Sequence, residues 1–392
     1  MKGKPLPSVY KNISEVHIEI TNMCNLSCTY CYAETLLPNK TYTNSLFTNE
    51  LYRKTVTKLL VETNNDFLDI VFHGGEPLLN SPEWFEEACS FAIQKAEELG
   101  KKVYFTMQSN VTILRHAHVE VFKKYKVLVG VSLDGDKKTH NEMRGKFEIT
   151  AKNIKKLQEA GLFSGVIVVI SHHNWDRVPI LFKQLDKMEI NIFHLNIAST
   201  VGRGDPMEPL GTDKTFRAFK DCLDQMLLYK GKIVDTRLVR KLSQFITPPE
   251  SVEETLQQLR CDNMFCHAGV TMVSVKNDGD VFPCGCAGSS GNMKKFKLDN
   301  MAKEDKVDPS SYFDLLKMFH AKKEKYYTEC VKCPAKFVCE HGCPAFDHTD
   351  PVTPENTCQA TKKLYQYLLS LDKSLLSKLV NDHESRTLPL AQ

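Results

Sequence analysis

The chain has 392 residues, a formal net charge of +3 and 25% charged residues. So even a balance gives no case for a nucleic-acid or membrane-surface partner, and the longest apolar runs, such as Val166–Ile170, are strand-sized and far short of a membrane span. The length predicts two or three domains. No apolar signal segment opens the sequence, so its fourteen cysteines read as metal ligands of a cytoplasmic protein and not as disulfide staples.

The first predicted strand, His17–Thr21, leads into Cys24, Cys28 and Cys31, a C-x3-C-x2-C triplet on the loop at its C-terminal end. Three thiolates hold three corners of a [4Fe–4S] cubane and leave the fourth iron open to a small molecule, as an open zinc site does, whereas four thiolates close a cluster for electron transfer. A zinc knuckle is the alternative. Zinc wants four ligands, however; no Cys or His follows the triplet within about twenty residues, and His17 lies inside the strand.

Helices and strands then alternate. Helices are expected at 51–61, from a Ser81 N-cap to Leu99 with a stop at Gly100, and at 117–125, 150–160, 175–187 and 214–228. Strands are expected at 67–72, 103–107, 127–133, 166–171 and 192–197. Six β/α units in a row predict a parallel sheet curled into an open, partial barrel over 14–230. The chemistry of such folds gathers at the C-terminal strand ends. There the sequence places the three cysteines, then His73-Gly74-Gly75-Glu76-Pro77, then Gln108-Ser109-Asn110, then Ser132-Leu133-Asp134-Gly135.

Past Gly231 the pattern changes. Residues 231–260 read as a linker with Pro248-Pro249 as a boundary, and residues 261–358 carry nine cysteines. Ser274–Pro283 has the form of a hairpin turning at Asn277–Asp280. The tail at 361–392 is expected to hold one helix packed on the body through Leu364, Leu368, Leu371, Leu375 and Leu379. Cys89 and Cys222 fall on predicted helices as small core residues.

The triplet after the first strand and the Gly-Gly-Glu-Pro loop after the second resemble the radical S-adenosylmethionine (SAM) superfamily, over roughly residues 14–230. The resemblance implies that SAM fills the open iron position and is cleaved to a 5′-deoxyadenosyl radical that takes a hydrogen atom from the substrate. It further implies that Tyr30 lies near the adenine, that Gly74 and Gly75 leave room for the methionine part, and that Glu76 accepts from its ammonium group. Ser109 and Asn110 correspond to the ribose side, Ser132 and Asp134 to ribose or substrate, and Arg144 to a partner of the SAM or substrate carboxylate.

The distal cysteines resemble a SPASM domain, expected over 261–360 as a small cysteine-rich unit binding two auxiliary [4Fe–4S] clusters. By that resemblance Cys261, Cys266, Cys284 and Cys343 hold the first, and Cys330, Cys333, Cys339 and Cys358 the second. Eight thiolates suffice for two closed sites. Zinc ribbons are the alternative for the C-x2-C pair. Cys286, two positions from Cys284, reads as an inert thiol, with a spare ligand or a substrate contact as the alternatives.

Enzymes with this pair of domains mostly modify peptides and proteins. The expected activity is therefore an oxidoreductase that installs an oxidative cross-link (thioether, carbon–carbon or ether) in a ribosomally made peptide. An electron donor such as flavodoxin or ferredoxin and a separate leader-binding protein are the implied partners. The rival is an anaerobic sulfatase-maturating enzyme, which makes formylglycine. That family carries an aspartate base directly after the cysteine matching Cys284, where this chain has Gly285. His267, Asp280 and His73 are the remaining candidates for a base. A reading from another class, a non-catalytic iron–sulfur electron carrier, needs neither an open cubane nor the Gly-Gly-Glu-Pro loop.

Overall fold

The computed structural model describes residues 8–33, 46–204, 208–249, 266–289, 291–303, 307–330, 332–339, 343–348, 350 and 352–387. Cys261 lies outside them.

The frame is one ten-stranded sheet in the order β10-β9-β8-β1-β2-β3-β4-β5-β6-β7. Its strands are β1 (Glu15–Glu19), β2 (Phe67–His73), β3 (Lys102–Ser109), β4 (Leu128–Ser132), β5 (Phe163–Ile170), β6 (Ile192–Ile197), β7 (Val234–Asp235), β8 (Met272–Lys276), β9 (Asp280–Phe282) and β10 (Asp299–Asn300). From β8 through β7 every pairing is parallel; β9 and β10 close the far edge in antiparallel fashion. Between the first strands run the helices α1 (Asn49–Glu62), α2 (Pro82–Glu98), α3 (His116–Tyr125), α4 (Lys137–Met143), α5 (Phe147–Glu159), α6 (Val178–Lys187) and α7 (Thr212–Leu228). The remaining helices are α8 (Thr236–Ile246), α9 (Gly285–Ser289), α10 (Pro309–Cys330), α11 (Pro344–Asp347), α12 (Val352–Leu369) and α13 (Lys373–Thr387).

Local chemistry explains the regular part. Ser81 caps α2 by accepting from the Trp84 amide at 3.3 Å, Pro82 follows, and Gly100 ends the helix at φ +67°. The face of α2 that carries Phe85, Ala88, Cys89 and Ala92 is buried, and Phe85 packs edge-on against Phe72 of β2 at 5.2 Å. Burying a side chain as large as Phe85 contributes roughly 1.5–3 kcal/mol. Cys222 of α7 is likewise fully buried.

On β1 the burial alternates from Glu15 to Ile18, and Glu19 at its end is buried. Val16 and Ile18 are fully buried, while Glu15 and His17 keep part of their surface. On β3, Phe105 and Met107 are buried and Tyr104 is half exposed. The sheet thus turns an apolar face to the helices and a polar face away from them.

Three expectations change. The cysteine-rich hairpin does not stand apart from the first sheet, because β8 pairs in parallel with β1 from Glu15↔Met272 to Glu19↔Lys276. The stretch expected as a linker holds β7 and α8, the latter capped by Asp235, which accepts from the amides of Arg237 and Leu238 at 3.4 and 3.1 Å. The tail is two helices, broken where Asp372 accepts from the Ser374 amide at 2.8 Å and starts α13. Leu364, Leu368 and Leu379 of the expected stripe are buried, but Leu375, just past the break, is more than half exposed. No helix among the described residues is long and apolar enough to cross a membrane.

Candidate functional site

The C-terminal ends of β1, β2, β3 and β4 converge on the cysteine loop. Cys24 and Cys28 are buried and Cys31 is partly exposed. The loop is pinned from outside: the Thr29 amide donates to Met143 O at 3.0 Å and the Arg203 amide to Cys31 O at 2.8 Å.

Gly74 and Gly75 are fixed by this loop. Gly74 has φ +119°, and a Cβ on Gly75 would lie 2.0 Å from the Met23 carbonyl oxygen. The Gly75 and Glu76 amides donate to Thr21 O and Met23 O at 2.7 and 2.9 Å. Both glycines therefore serve first the contact between two loops.

Glu76 is buried. Its Oε1 accepts from the Leu78 amide at 3.0 Å and from Ser109 Oγ at 2.7 Å, and its Oε2 from the Asn110 amide at 2.8 Å. Burial raises its pKa, and these hydrogen bonds work the other way. A carboxylate offers about four acceptor positions, so one remains for an incoming cation.

Asn110 gives Nδ2 to Asn25 Oδ1 at 3.0 Å and to Cys24 Sγ at 3.9 Å. Its Oδ1 accepts from the Thr112 amide at 2.9 Å. Ser132 accepts from Gln108 Nε2 at 3.1 Å.

Asp134 also accepts three hydrogen bonds. Its Oδ1 accepts from the Val169 amide at 2.8 Å; its Oδ2 accepts from the Tyr30 hydroxyl and from Arg144 Nε, the latter at 2.5 Å. The Arg144 guanidinium lies 5.0 Å over the Tyr30 ring and points Nη1 at Cys28 Sγ, 3.8 Å away. The structure thus joins Tyr30, Asp134 and Arg144 into one buried unit, and Arg144 is held by Asp134.

Of the base candidates, Asp280 pairs with Lys297 at 2.9 Å and accepts from Asn300 at 2.6 Å, and His267 shares a 3.3 Å hydrogen bond with Thr271. His73 stands at the C-terminal end of β2. Burial, then the neighbouring His17, lower its pKa to about 3, so it is neutral. The sequence reading passed over Glu15, His17 and Glu19, although their alternation with Val16 and Ile18 marks them as one polar face of β1.

The donor set around the triplet fits a [4Fe–4S] cluster. Burial raises the Cys24 thiol to about 12 and raises Cys28 as well, so both need a metal to become thiolates. Donors already face the sulfurs: the Leu26 amide reaches Cys24 Sγ at 3.5 Å, beside the Asn110 and Arg144 contacts. Such hydrogen bonds tune cluster potential. No three His, Cys, Asp or Glu side chains among the described residues meet closely enough for a single metal ion; the ligands of a cubane bind separate irons and stand further apart.

In the second field, Cys284 lies in a buried apolar cluster with Cys266, Cys286 and Cys343 against it. Cys358 is raised to about 11 by burial, then by Cys339, with Cys330 contributing. Cys333 donates its amide to Cys330 O at 2.9 Å.

Residues 18–185 match the model of the radical SAM superfamily. The cysteine-type anaerobic sulfatase-maturating enzyme of Clostridium perfringens is 25% identical over 373 residues, 88% of this chain and 93% of that protein. The antilisterial bacteriocin subtilosin biosynthesis protein AlbA of Bacillus subtilis is 26% identical over 336 residues, 83% of this chain and 66% of that protein. Solved structures of anSMEcpe with bound AdoMet, in one case also with the Cp18Cys peptide, superpose with TM-scores of 0.75 and 0.73 at 21% and 20% identity, each covering 94% of this chain and 99% of that one. At such identity the likeness is one of fold.

Proposed function

We propose that this chain, whose residues 18–185 match the radical SAM model, is an enzyme that matures a peptide by oxidation. The bound cluster and SAM would supply a 5′-deoxyadenosyl radical that removes hydrogen from the substrate. The chain's own residues hold and shield that chemistry. Cys24, Cys28 and Cys31 would ligate the cluster, and the free acceptor position of Glu76 would take the ammonium group of SAM. The Tyr30–Asp134–Arg144 unit would wall the site with a fixed charge pair beside Cys28.

The observation that carries this reading is the junction of four strand ends at the triplet. Glu76, buried and three-quarters satisfied, bridges the loops after β2 and β3 within the same network that presents Asn110 to Cys24. An electron carrier has no use for a spare buried acceptor beside its cluster.

We assign Cys261, Cys266, Cys284 and Cys343 to one auxiliary cluster and Cys330, Cys333, Cys339 and Cys358 to a second. The mutual influence of Cys358, Cys339 and Cys330 supports the latter group. The preferred product is a cross-linked peptide, because Gly285 removes the carboxylate a sulfatase-maturating enzyme would use. Formylglycine formation is the second reading, favoured by similarity to such an enzyme along 88% of this chain. Flavodoxin or ferredoxin as electron donor, and a separate leader-binding protein, belong to the first reading.

The test is anaerobic incubation of the reduced, cluster-loaded enzyme with SAM and a co-expressed candidate peptide. Formation of 5′-deoxyadenosine with loss of two hydrogens from the peptide and no new aldehyde supports cross-linking, because a serine oxidised to formylglycine loses two hydrogens as well. Loss of hydrogen sulfide with gain of oxygen at a cysteine supports formylglycine. Absence of 5′-deoxyadenosine refutes both.

A further inference from the structure

The helix-free face of β1 presents Glu15, His17 and Glu19. His17 Nε2 lies 2.8 Å from Glu15 Oε1. A carboxylate only accepts, so the neutral ring carries its proton on Nε2 and leaves Nδ1 as a bare acceptor. That Nδ1 is buried without a hydrogen-bond partner among the described residues, and so is Nδ1 of His73. The two rings stack with centroids 5.6 Å apart.

Both nitrogens converge on one place. A Cβ at Gly285 would stand 3.4 Å from His17 Nδ1, 3.7 Å from Glu19 Oε1 and 3.9 Å from His73 Nδ1. A water oxygen slightly beyond that point comes within reach of all three, and its two hydrogens can go to two of these acceptors, the two ring nitrogens, which is enough to hold a buried water. Gly285 is not in the left-handed region, so backbone conformation does not demand a glycine. A Cβ there would meet only ordinary contact, and the glycine leaves that volume free.

We propose that Glu15, His17 and His73 form a proton outlet for the reacting centre, connected through one water held beside Gly285. The inference rests on the peptide-maturase reading: removal of a hydrogen atom and then an electron, the electron passing to an auxiliary iron–sulfur cluster, leaves one proton to be carried away. The outlet moves that proton alone. A protic bond of the substrate breaks as its proton reaches the water, the water gives one of its own hydrogens to His17 Nδ1, where an N–H bond forms, and His73 Nδ1 holds the water in line by accepting its other hydrogen. The Nε2 proton then leaves to Glu15, whose side chain keeps 29% of its surface exposed. An imidazole that takes a proton on one nitrogen and releases another from the second is a proton shuttle.

One arm of the test needs no substrate. Nitrogen NMR of the full chain, 15N-labelled at histidine and assigned with His17→Asn, should show the Nε2–H tautomer at His17. A proton on Nδ1 overturns the outlet. The second arm uses a panel of synthetic peptides identical but for a central cysteine, serine or threonine, and measures modified peptide per 5′-deoxyadenosine in one reaction. His17→Gln should lower that ratio by about a hundredfold or more, while 5′-deoxyadenosine stays within a few-fold of wild type. Gly285→Ala, which fills the water position, should lower it likewise, and Gly285→Ser, which puts a hydroxyl there, should restore much of it. An unchanged ratio, or a parallel fall of both quantities, overturns the proposal. A wild-type enzyme that makes no 5′-deoxyadenosine overturns instead the reading beneath it, and the tautomer still judges the outlet.

Discussion

Replacing Glu76 by Gln separates its two duties. The carboxylate accepts from two backbone amides and one hydroxyl. An amide has one oxygen. If that oxygen faces Leu78 and Ser109, the new amino group meets the Asn110 amide donor to donor; if it turns over, Ser109 can rotate to accept but the Leu78 amide loses its partner. Either way one buried N–H is orphaned, at a cost of about 1–3 kcal/mol. Burial disfavours the charge at this position, so its removal offsets part of that cost, and the net change is about 1–2 kcal/mol, a few degrees in Tm. The effect on SAM is larger. Losing a charged acceptor for the ammonium costs about 1.5–3 kcal/mol, which is roughly a ten- to hundredfold weaker Kd. Calorimetry of the anaerobically reconstituted variant gives Tm, and equilibrium dialysis with labelled SAM gives Kd. A lower Tm with unchanged SAM affinity would show that Glu76 only fastens loops, and the cation site assigned here would be wrong.

Gly75→Ala puts a Cβ 2.0 Å from the Met23 carbonyl oxygen and so drives the backbone beside Cys24 outward. The expected result is loss of the first cluster, read as iron per chain; retention of full iron and of SAM cleavage would refute the close approach. Cys24→Ala should stop SAM cleavage yet leave most of the iron, which the distal cysteines hold, and continued 5′-deoxyadenosine formation would show that the triplet is not the SAM site. Asp235 caps α8 from a buried position, and burial raises its pKa from 3.8 to about 6. Because the folded value lies above the unfolded one, the folded state holds the proton more tightly and stability declines as pH rises from about 4 to 6, by about 3 kcal/mol in all. Asp235→Asn should flatten that decline, so the variant gains on wild type between pH 4 and pH 7 in paired urea melts; parallel curves would refute the shift.

What the sequence disclosed follows from how each feature is encoded. The triplet, the Gly-Gly-Glu-Pro loop and the first six strands rest on local rules of ligand spacing, close approach and alternation, and each lies where it was expected. The pairing of β8 with β1 joins residues some 250 positions apart, and no local pattern announces it. Helix α8 was legible in principle, from the Asp235 cap and the spacing of Leu238, Leu242 and Phe245, but the following prolines drew the stretch into a linker. Arg144 could be identified as important without its partner being known. Its choice of Asp134 depends on where α4 ends relative to β4, which spacing does not fix.

The distribution of satisfied and unsatisfied polar groups divides the site by task. Beside the triplet, Asn110 and Ser109 are bound to the protein and Glu76 and Asp134 each accept three hydrogen bonds, so the surface is rigid before anything binds and little reorganisation is needed when it does. On the β1 side, two ring nitrogens lack protein partners. An orphan acceptor in a low-dielectric interior is costly. Two that stack on one another and face the same glycine are hard to explain as a by-product of packing, since a single alanine at 285 would meet only ordinary van der Waals contact at 3.4 Å. The glycine and the two histidines are informative as a group: the first keeps open a space that the other two are turned to use. The chain that lacks a carboxylate at position 285 has its proposed proton-handling groups on the first two strands, facing the same point from the other side.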